Sequence, residues 1–293
     1  MKIGIAGTGR MGAAMAQRLM SMGHDVHVWN RSPEKTRPLA EAGAHVSATA
    51  RELAAQSELI ITILTDAAAV EATYHGEQGL LAGDVSGKFF VEMSTVRPEV
   101  EEKLEMRVRA KNAALIDCPV GGTVGPAREG RLLGFAGGDT KDVARVKSVL
   151  DQLCRRVEHV GPVGSGARMK LTINLPLLVY WQALGEALLL SKSLQLDPAR
   201  MIDIISDTSG GPNVLKARGP ALVKALNGEA VAPVTFDVDS IRKDLRTMLE
   251  EGHALGVELP VTKCALACFD EASRDGLGPE DASTLPARFV RKI

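Results

Sequence analysis

The first twenty residues constrain this chain most. Lys2-Ile3-Gly4-Ile5-Ala6 is a short β-prone run, followed without a gap by Gly7-Thr8-Gly9-Arg10-Met11-Gly12. A helical pattern, Met11 to Met20, comes next, with Met15, Leu19 and Met20 among its apolar positions. A strand, a G-x-G-x-x-G turn and a helix in that order open a βαβ unit that binds a dinucleotide. Gly7 is there for the tight turn, Gly9 for close approach of the backbone to a pyrophosphate, and Gly12 for close packing of helix on strand. The helix N-terminus then offers unpaired N–H groups and a partial positive charge to phosphates. A bare glycine turn in an α/β protein would carry the same three residues without a ligand.

The end of the second expected strand, Asp25 to Trp29, selects between nicotinamide cofactors. An NAD site places Asp or Glu there to accept hydrogen bonds from the ribose hydroxyls. Here the residues are Asn30-Arg31-Ser32. Arg31 can fork onto a 2′-phosphate and Ser32 can add a hydrogen bond. The alternative is that Ser32 caps a helix beginning at Pro33 while Arg31 is merely solvated. The missing acid favours NADP(H) over NAD(H).

The first half of the chain goes on alternating short strands with helical segments. Leu59 to Leu64 is a continuous apolar run, as in a strand buried on both faces, and Phe89 to Met93 and Ala114 to Asp117 read as further strands. This alternation predicts a doubly wound parallel sheet of Rossmann type. After a glycine-rich joint, Gly161-Pro162-Val163-Gly164-Ser165-Gly166, no strand pattern is found from Ala167 onward. The expected organisation is a dinucleotide-binding α/β domain over residues 1–161 and an all-α domain over residues 162–293.

Composition narrows the function classes. The 293 residues are 45% hydrophobic and 24% charged, the make-up of a globular chain, and the net charge of −1 gives no electrostatic grip on nucleic acid or acidic lipid. Cys118, Cys154, Cys264 and Cys268 form no C-x-x-C motif and read as reduced core thiols of a cytoplasmic protein. With the six histidines scattered, no metal site is expected. The N-terminal apolar run is too short for a signal peptide. Leu171 to Leu190 nearly has the length of a membrane span. It contains Asn174, Pro176, Gln182 and Glu186, and a mid-bilayer acid costs about 2.5–3.5 kcal/mol. A buried helix of a soluble protein is expected instead, with no membrane contact.

Five stretches in order make the chain resemble the β-hydroxyacid dehydrogenases, the group that includes 3-hydroxyisobutyrate dehydrogenase, tartronate semialdehyde reductase and glyoxylate/succinic semialdehyde reductase. They are the opening Gly4 to Gly12; Leu64-Thr65-Asp66; Met93-Ser94-Thr95 with Pro98; Asp117-Cys118-Pro119-Val120-Gly121-Gly122-Thr123-Val124-Gly125; and Gly164 to Asn174. Phe236 and Lys243-Asp244-Leu245 match a further segment. The resemblance implies cofactor contacts from Leu64, Thr65, Thr95 and Lys243, besides Gly7, Thr8, Gly9, Arg10, Met11, Gly12, Asn30, Arg31 and Ser32. It implies substrate contacts from Ser94, Gly121, Gly122, Thr123, Lys170 and Asn174. Where the family reads Pro-Val-Ser-Gly-Gly, this chain has Gly121 at the Ser position and Thr123 at the last Gly position. Carboxylate binding would then fall to backbone N–H groups of the turn. Pro176 is a second departure, expected to kink the helix beside the site.

The resemblance makes Lys170 the catalytic proton carrier, with Asn174 one helical turn on and on the same face. It opens an apolar helix directly after the joint, where a ligand cleft is expected. In reduction, Lys170 gives a proton to the carbonyl oxygen; in oxidation it takes one from the alcohol. A lysine of ordinary pKa, about 10.4, is rarely neutral at pH 7, so oxidation should speed up towards alkaline pH. Glu92 and Asp117 end strands and are read as structural. The expected activity is hydride transfer between NADP(H) and a small hydroxy-acid, aldehyde-acid or keto-acid by a homodimer or homotetramer. The alternatives are an NAD-dependent 3-hydroxyacid dehydrogenase, an imine reductase-like enzyme and a non-catalytic dinucleotide-binding scaffold.

Overall fold

A computed structural model describes residues 1–291, so the last two residues of the expected 162–293 domain lie outside the described residues. The chain divides into two compact units, Met1–Leu171 and a second that begins at Thr172.

The first unit is built on one nine-stranded sheet: β1 (Lys2–Ala6), β2 (Asp25–Trp29), β3 (His45–Val46), β4 (Leu59–Thr62), β5 (Phe89–Glu92), β6 (Ala114–Asp117), β7 (Val120–Gly121), β8 (Leu132–Gly137) and β9 (Cys154–Gly161). Its order is β3-β2-β1-β4-β5-β6-β8-β7, with β9 pairing β8. Six strands, β3 to β6 in that order, are all parallel. Helices α1 (Arg10–Ser21), α2 (Arg37–Glu41), α3 (Ala50–Gln56), α4 (Ala67–Tyr74), α5 (Pro98–Arg109), α6 (Val124–Glu129) and α7 (Thr140–Leu153) connect them. Two apolar layers cover the sheet. One packs Met15 and Leu19 of α1 with Val146 and Leu150 of α7 against Ile3, Ile5 and Ile61; the other packs Leu53, Val70, Tyr74 and Leu104 against Ile60 and Phe90. Covering both faces is what lets β4, Leu-Ile-Ile-Thr, be apolar and buried throughout.

Three features depart from the sequence expectation. The strands expected to reach Leu64 and Met93 stop at Thr62 and Glu92, so the residues beyond are loop. The sheet also continues past β6 with β8, antiparallel to β6 and β7 and parallel to β9. Their sequence signal is weak: β7 is two residues long, β8 has Gly134 inside it and ends on Gly137, and β9 carries Arg155, Arg156 and Glu158 on an edge. The cysteines split as well: Cys118 and Cys154 are core thiols, but Cys264 is exposed and Cys268 half-buried.

Helix α8 (Ser165–Leu190) runs from the first unit into the second, and α9 (Pro198–Ser206), α10 (Asn213–Leu226), α11 (Val238–Ala254), α12 (Pro260–Ala272) and α13 (Thr284–Arg291) follow. No strand is assigned among the described residues after Gly161. Helix α8 is long and apolar enough to cross a membrane by length and composition, and 39% of its most apolar window is buried. It is therefore one-sided rather than buried throughout: Leu171, Asn174, Leu178, Trp181 and Leu188 are buried, while Met169, Ile173 and Leu190 are exposed. In the second unit, Asp281 is fully buried and accepts from the Thr235 N–H, the Ser283 hydroxyl and the Arg218 guanidinium. Burial pushes its carboxyl up, but those donors bring it down to about 2.

Candidate active site

The glycine loop sits at the carboxyl end of β1, where open α/β sheets bind their ligands. Gly7 has φ +100°, and a Cβ there would lie 2.3 Å from the Ile63 carbonyl; a Cβ at Gly12 would lie 1.9 Å from the Gly7 carbonyl. The protein itself therefore demands both. Gly9 is different, since a Cβ there would meet no atom within 4 Å. Its bare backbone leaves open space at the start of α1, whose N-terminus has no side-chain cap and no acid in its first turn. Beside it the Thr8 hydroxyl is buried without a hydrogen-bond partner in the protein. An unspent donor, an open surface over a glycine and an uncapped helix N-terminus fit the pyrophosphate of a dinucleotide. Arg10 is exposed and Met11 half-buried on the first turn.

Asn30 turns out to be a brace. Its Oδ1 accepts from the Thr8 N–H at 3.0 Å and its Nδ2 donates to the Ser32 carbonyl at 3.0 Å, tying the glycine loop to the segment after β2. Arg31 is exposed and Ser32 half-buried. Ser32 stands at the N-cap of the 3-10 turn Pro33–Thr36, but its side chain makes no cap hydrogen bond.

The loops after β4 and β5 are joined through Ser94. Its hydroxyl accepts from the Leu64 N–H at 2.7 Å and donates to the Glu92 carboxylate, and it is only 2% exposed. Expected to touch substrate, Ser94 has its donor hydrogen and one of its two acceptor lone pairs committed to the protein. Thr95 is half-buried, Leu64 half-buried and Thr65 exposed. Asp66 caps α4 by accepting from the Ala69 N–H at 2.8 Å, which fixes where that loop ends.

Lys170 and the Val120–Thr123 segment are brought together. Lys170 is half-buried on the second turn of α8, and its Nζ donates to the Val120 carbonyl at 2.7 Å. Asp117 sets the start of that helix: Oδ1 accepts from the Gly164 N–H at 2.9 Å and Oδ2 from the Ala167 N–H at 2.8 Å. Gly166 makes the approach feasible, because a Cβ there would lie 2.2 Å from the Phe135 carbonyl. Burial pushes the Asp117 carboxyl up; the two N–H donors pull it back, and about 7 is the balance. Gly121 is half-buried and Gly122 exposed with φ +126°. Thr123 stands at the N-cap of α6 without a side-chain cap bond, so capping does not consume its hydroxyl.

Within the second unit, Asn174 is 5% exposed and its Nδ2 donates to Asp244 Oδ2 at 3.1 Å. Asp244 Oδ1 in turn lies 2.5 Å from Lys243 Nζ. Asn174 is thus oriented by an acid that carries the lysine of the neighbouring position. Helix α8 runs unbroken through Pro176, which can give no N–H to the turn before it.

Two family models cover the chain in tandem. The NAD-binding domain of 6-phosphogluconate dehydrogenase matches residues 2–161, and the NAD-binding domain of NADP-dependent 3-hydroxyisobutyrate dehydrogenase matches residues 164–288. The chain belongs to the β-hydroxyacid dehydrogenase family. With that family it is an NAD(P)-dependent oxidoreductase acting on CH–OH groups. It is 32% identical to 3-hydroxyisobutyrate dehydrogenase from Pseudomonas aeruginosa, over 94% of this chain and 95% of the relative. It is 31% identical to glyoxylate/succinic semialdehyde reductase 1 from Arabidopsis thaliana, over 97% of each. A structure of Mycobacterium tuberculosis 3-hydroxyisobutyrate dehydrogenase with L-serine superposes with a TM-score of 0.86 at 25% identity, covering 99% of both chains.

For this β-hydroxyacid dehydrogenase, motifs in the sequence mark the candidate residues but not the buried acids that hold their loops. Asp117 and Glu92 are legible in the sequence as polar strand ends and Asp244 as the neighbour of Lys243, while Glu101 carries no sequence signal of its own. Their burial is the missing information. Glu92, Asp117 and Glu101 are at most 1% exposed and Asp244 is 3% exposed.

Proposed function

We propose that this chain interconverts a small hydroxy-acid and the corresponding aldehyde- or keto-acid with NADP(H) as the preferred cofactor, using Lys170 as the proton-transfer group. The observation that carries the reading is the Lys170–Val120 hydrogen bond, which holds an ammonium group against the segment that resembles the family's substrate signature. When bound, the nicotinamide supplies or accepts the hydride. Gly9, the Thr8 hydroxyl and the α1 N-terminus would hold the pyrophosphate, and Arg31 would meet a 2′-phosphate. Lys170 donates a proton to the carbonyl oxygen as negative charge builds there, and takes it back in oxidation. Asn174, its amide oriented by Asp244, is the second catalytic group of this reading. The exposed backbone of Gly122 and the Thr123 hydroxyl take the place of the serine absent at position 121 in holding a carboxylate.

Support for the substrate class comes from relatives of full length named 3-hydroxyisobutyrate dehydrogenase and glyoxylate/succinic semialdehyde reductase. The deciding experiment is a panel of 3-hydroxy-acids, glyoxylate and succinic semialdehyde with NADPH or NADP⁺ and NADH or NAD⁺, at neutral and alkaline pH. Turnover of at least one such acid, with higher kcat/KM for the phosphorylated cofactor, is expected. Equal efficiency with both cofactors would remove the NADP preference, and no turnover of any acid would remove the substrate class.

A further inference from the structure

Beneath the loops that follow β4 and β5 lies a buried cluster that the proposed reaction does not use. Glu92, at the end of β5, is fully buried. Its neighbours are donors: the Ser94 N–H reaches Oε2 at 2.8 Å, and the Ser94 and Thr62 hydroxyls reach Oε1, the latter at 3.3 Å. Tyr74 OH lies 3.0 Å from Thr62 Oγ1 and extends the chain of hydroxyls. A carboxyl that accepts from every side is the ionised kind. Yet Glu101 of α5, 1% exposed, is hydrogen-bonded to that same carboxylate. Two ionised carboxylates cannot share a hydrogen bond, so one must bring a proton. Glu101 is the one placed to do so. Its Oε2 is buried with no hydrogen-bond partner, which the carbonyl oxygen of a neutral acid tolerates far better than an ionised oxygen does.

The other titratable groups facing the pair are Tyr74 from α4, whose phenol burial keeps neutral, and Asp117 from β6, whose negative charge opposes a second one on Glu101. Arg97, the cation in the intervening loop, pairs with Glu99 at 3.2 Å.

We propose that Glu101, as a neutral acid donating to ionised Glu92, is a positioning residue that sets the cofactor-facing loops after β4 and β5. The link is Ser94. Glu92 accepts a hydrogen bond from its hydroxyl, which turns a lone pair of the oxygen to the Leu64 N–H and fixes the spacing between the two loops. Loss of the Glu101 proton places a second charge against Glu92, pushes the carboxyls apart and takes Ser94 with them. The proposal rests on the reading that Leu64, Thr65 and Thr95 face the dinucleotide.

The test is NADPH affinity as a function of pH, by fluorescence titration of the full-length wild type, Glu101→Gln, Glu101→Ala and Glu92→Gln. Binding alone is read, so Lys170 does not enter. In the wild type, affinity should fall as the pH becomes alkaline, by up to tenfold per pH unit for one linked proton. Glutamine at 101 keeps a donor that cannot ionise. Its affinity should stay within about twofold of wild type at neutral pH, and the alkaline loss should disappear. Alanine at 101 or glutamine at 92 should weaken binding at every pH. An alkaline loss in Glu101→Gln equal to that of wild type, or an equal weakening by glutamine and alanine at 101, would overturn the proposal. Infrared spectra read the proton independently. The wild-type minus Glu101→Gln difference spectrum should contain a carboxylic-acid carbonyl band of its own, separate from any band of Asp117, and its absence would also overturn the assignment. Failure of the functional reading looks different: the wild type would bind no dinucleotide at any pH while the band remained, and the positioning role would fall with it.

Discussion

Lys170 holds its charge on a tether: the head group is bonded to the Val120 carbonyl at 2.7 Å, and the backbone belongs to a helix anchored by Asp117. Truncating it to alanine removes the proton donor and leaves the glycine loop untouched. Lys170→Ala should lower kcat by about 10²- to 10⁴-fold, the range for general acid–base groups, with little change in NADPH affinity. A kcat within a few-fold of wild type in stopped-flow or steady-state assays would remove Lys170 from the chemistry. Arg31 is a separate residue-level matter, exposed at the end of β2 where the acid of an NAD site is missing. A hydrogen bond to a charged group contributes about 1.5–3 kcal/mol. Arg31→Ala should therefore cut the NADPH-to-NADH ratio of kcat/KM by roughly ten- to hundredfold, and an unchanged ratio would mean the guanidinium is only solvated.

At the scale of elements, the site depends on how closely α8 can press its first turn onto the ends of β6 and β8. Gly166 meets the Phe135 carbonyl where no Cβ fits, and Asp117 spans the Gly164 and Ala167 N–H groups. Gly166→Ala should push this turn outward, costing about 1–3 kcal/mol of stability as overpacking does. It should also lower kcat by about ten- to hundredfold, since a displacement of about 1 Å in a positioned group has that effect. A thermal melt and a kcat both close to wild type would show that the turn does not position Lys170.

For the molecule as a whole, the two buried aspartates give stability opposite pH dependences. The carboxyl of Asp117 in the first unit is raised from 3.8 to about 7, so its contribution is fully present below pH 3.8 and is lost as the pH rises to about 7. The carboxyl of Asp281 in the second unit is lowered from 3.8 to about 2; its contribution is present above pH 3.8 and is lost as the pH falls through about 2. Urea melts between pH 2 and 8 should show the decline from pH 4 to 7 flattened in Asp117→Asn and the acid loss reduced in Asp281→Asn. Asparagine at either position should also lower overall stability, because each amide meets N–H donors with an NH₂ group. Unchanged pH profiles in both variants would contradict these assignments.

Sequence alone was enough for the periodic and the local. Continuous apolar strands between amphipathic helices dictate a doubly wound sheet, and G-x-G-x-x-G after a strand dictates the loop, because backbone geometry and two-sided burial act over short stretches of chain. The Lys170–Asn174 spacing is helical arithmetic of the same kind. Tertiary structure alone decided which polar groups are buried and what they meet. The Asn30–Thr8 brace spans 22 positions, Ser94–Leu64 spans 30, Asp117–Ala167 spans 50 and Asn174–Asp244 spans 70. A charged residue costs little in water and several kcal/mol when buried. That difference separates Glu101, which holds a proton in the core, from Glu102, exposed at the next position of the same helix, and it exists only once the chain has closed around it.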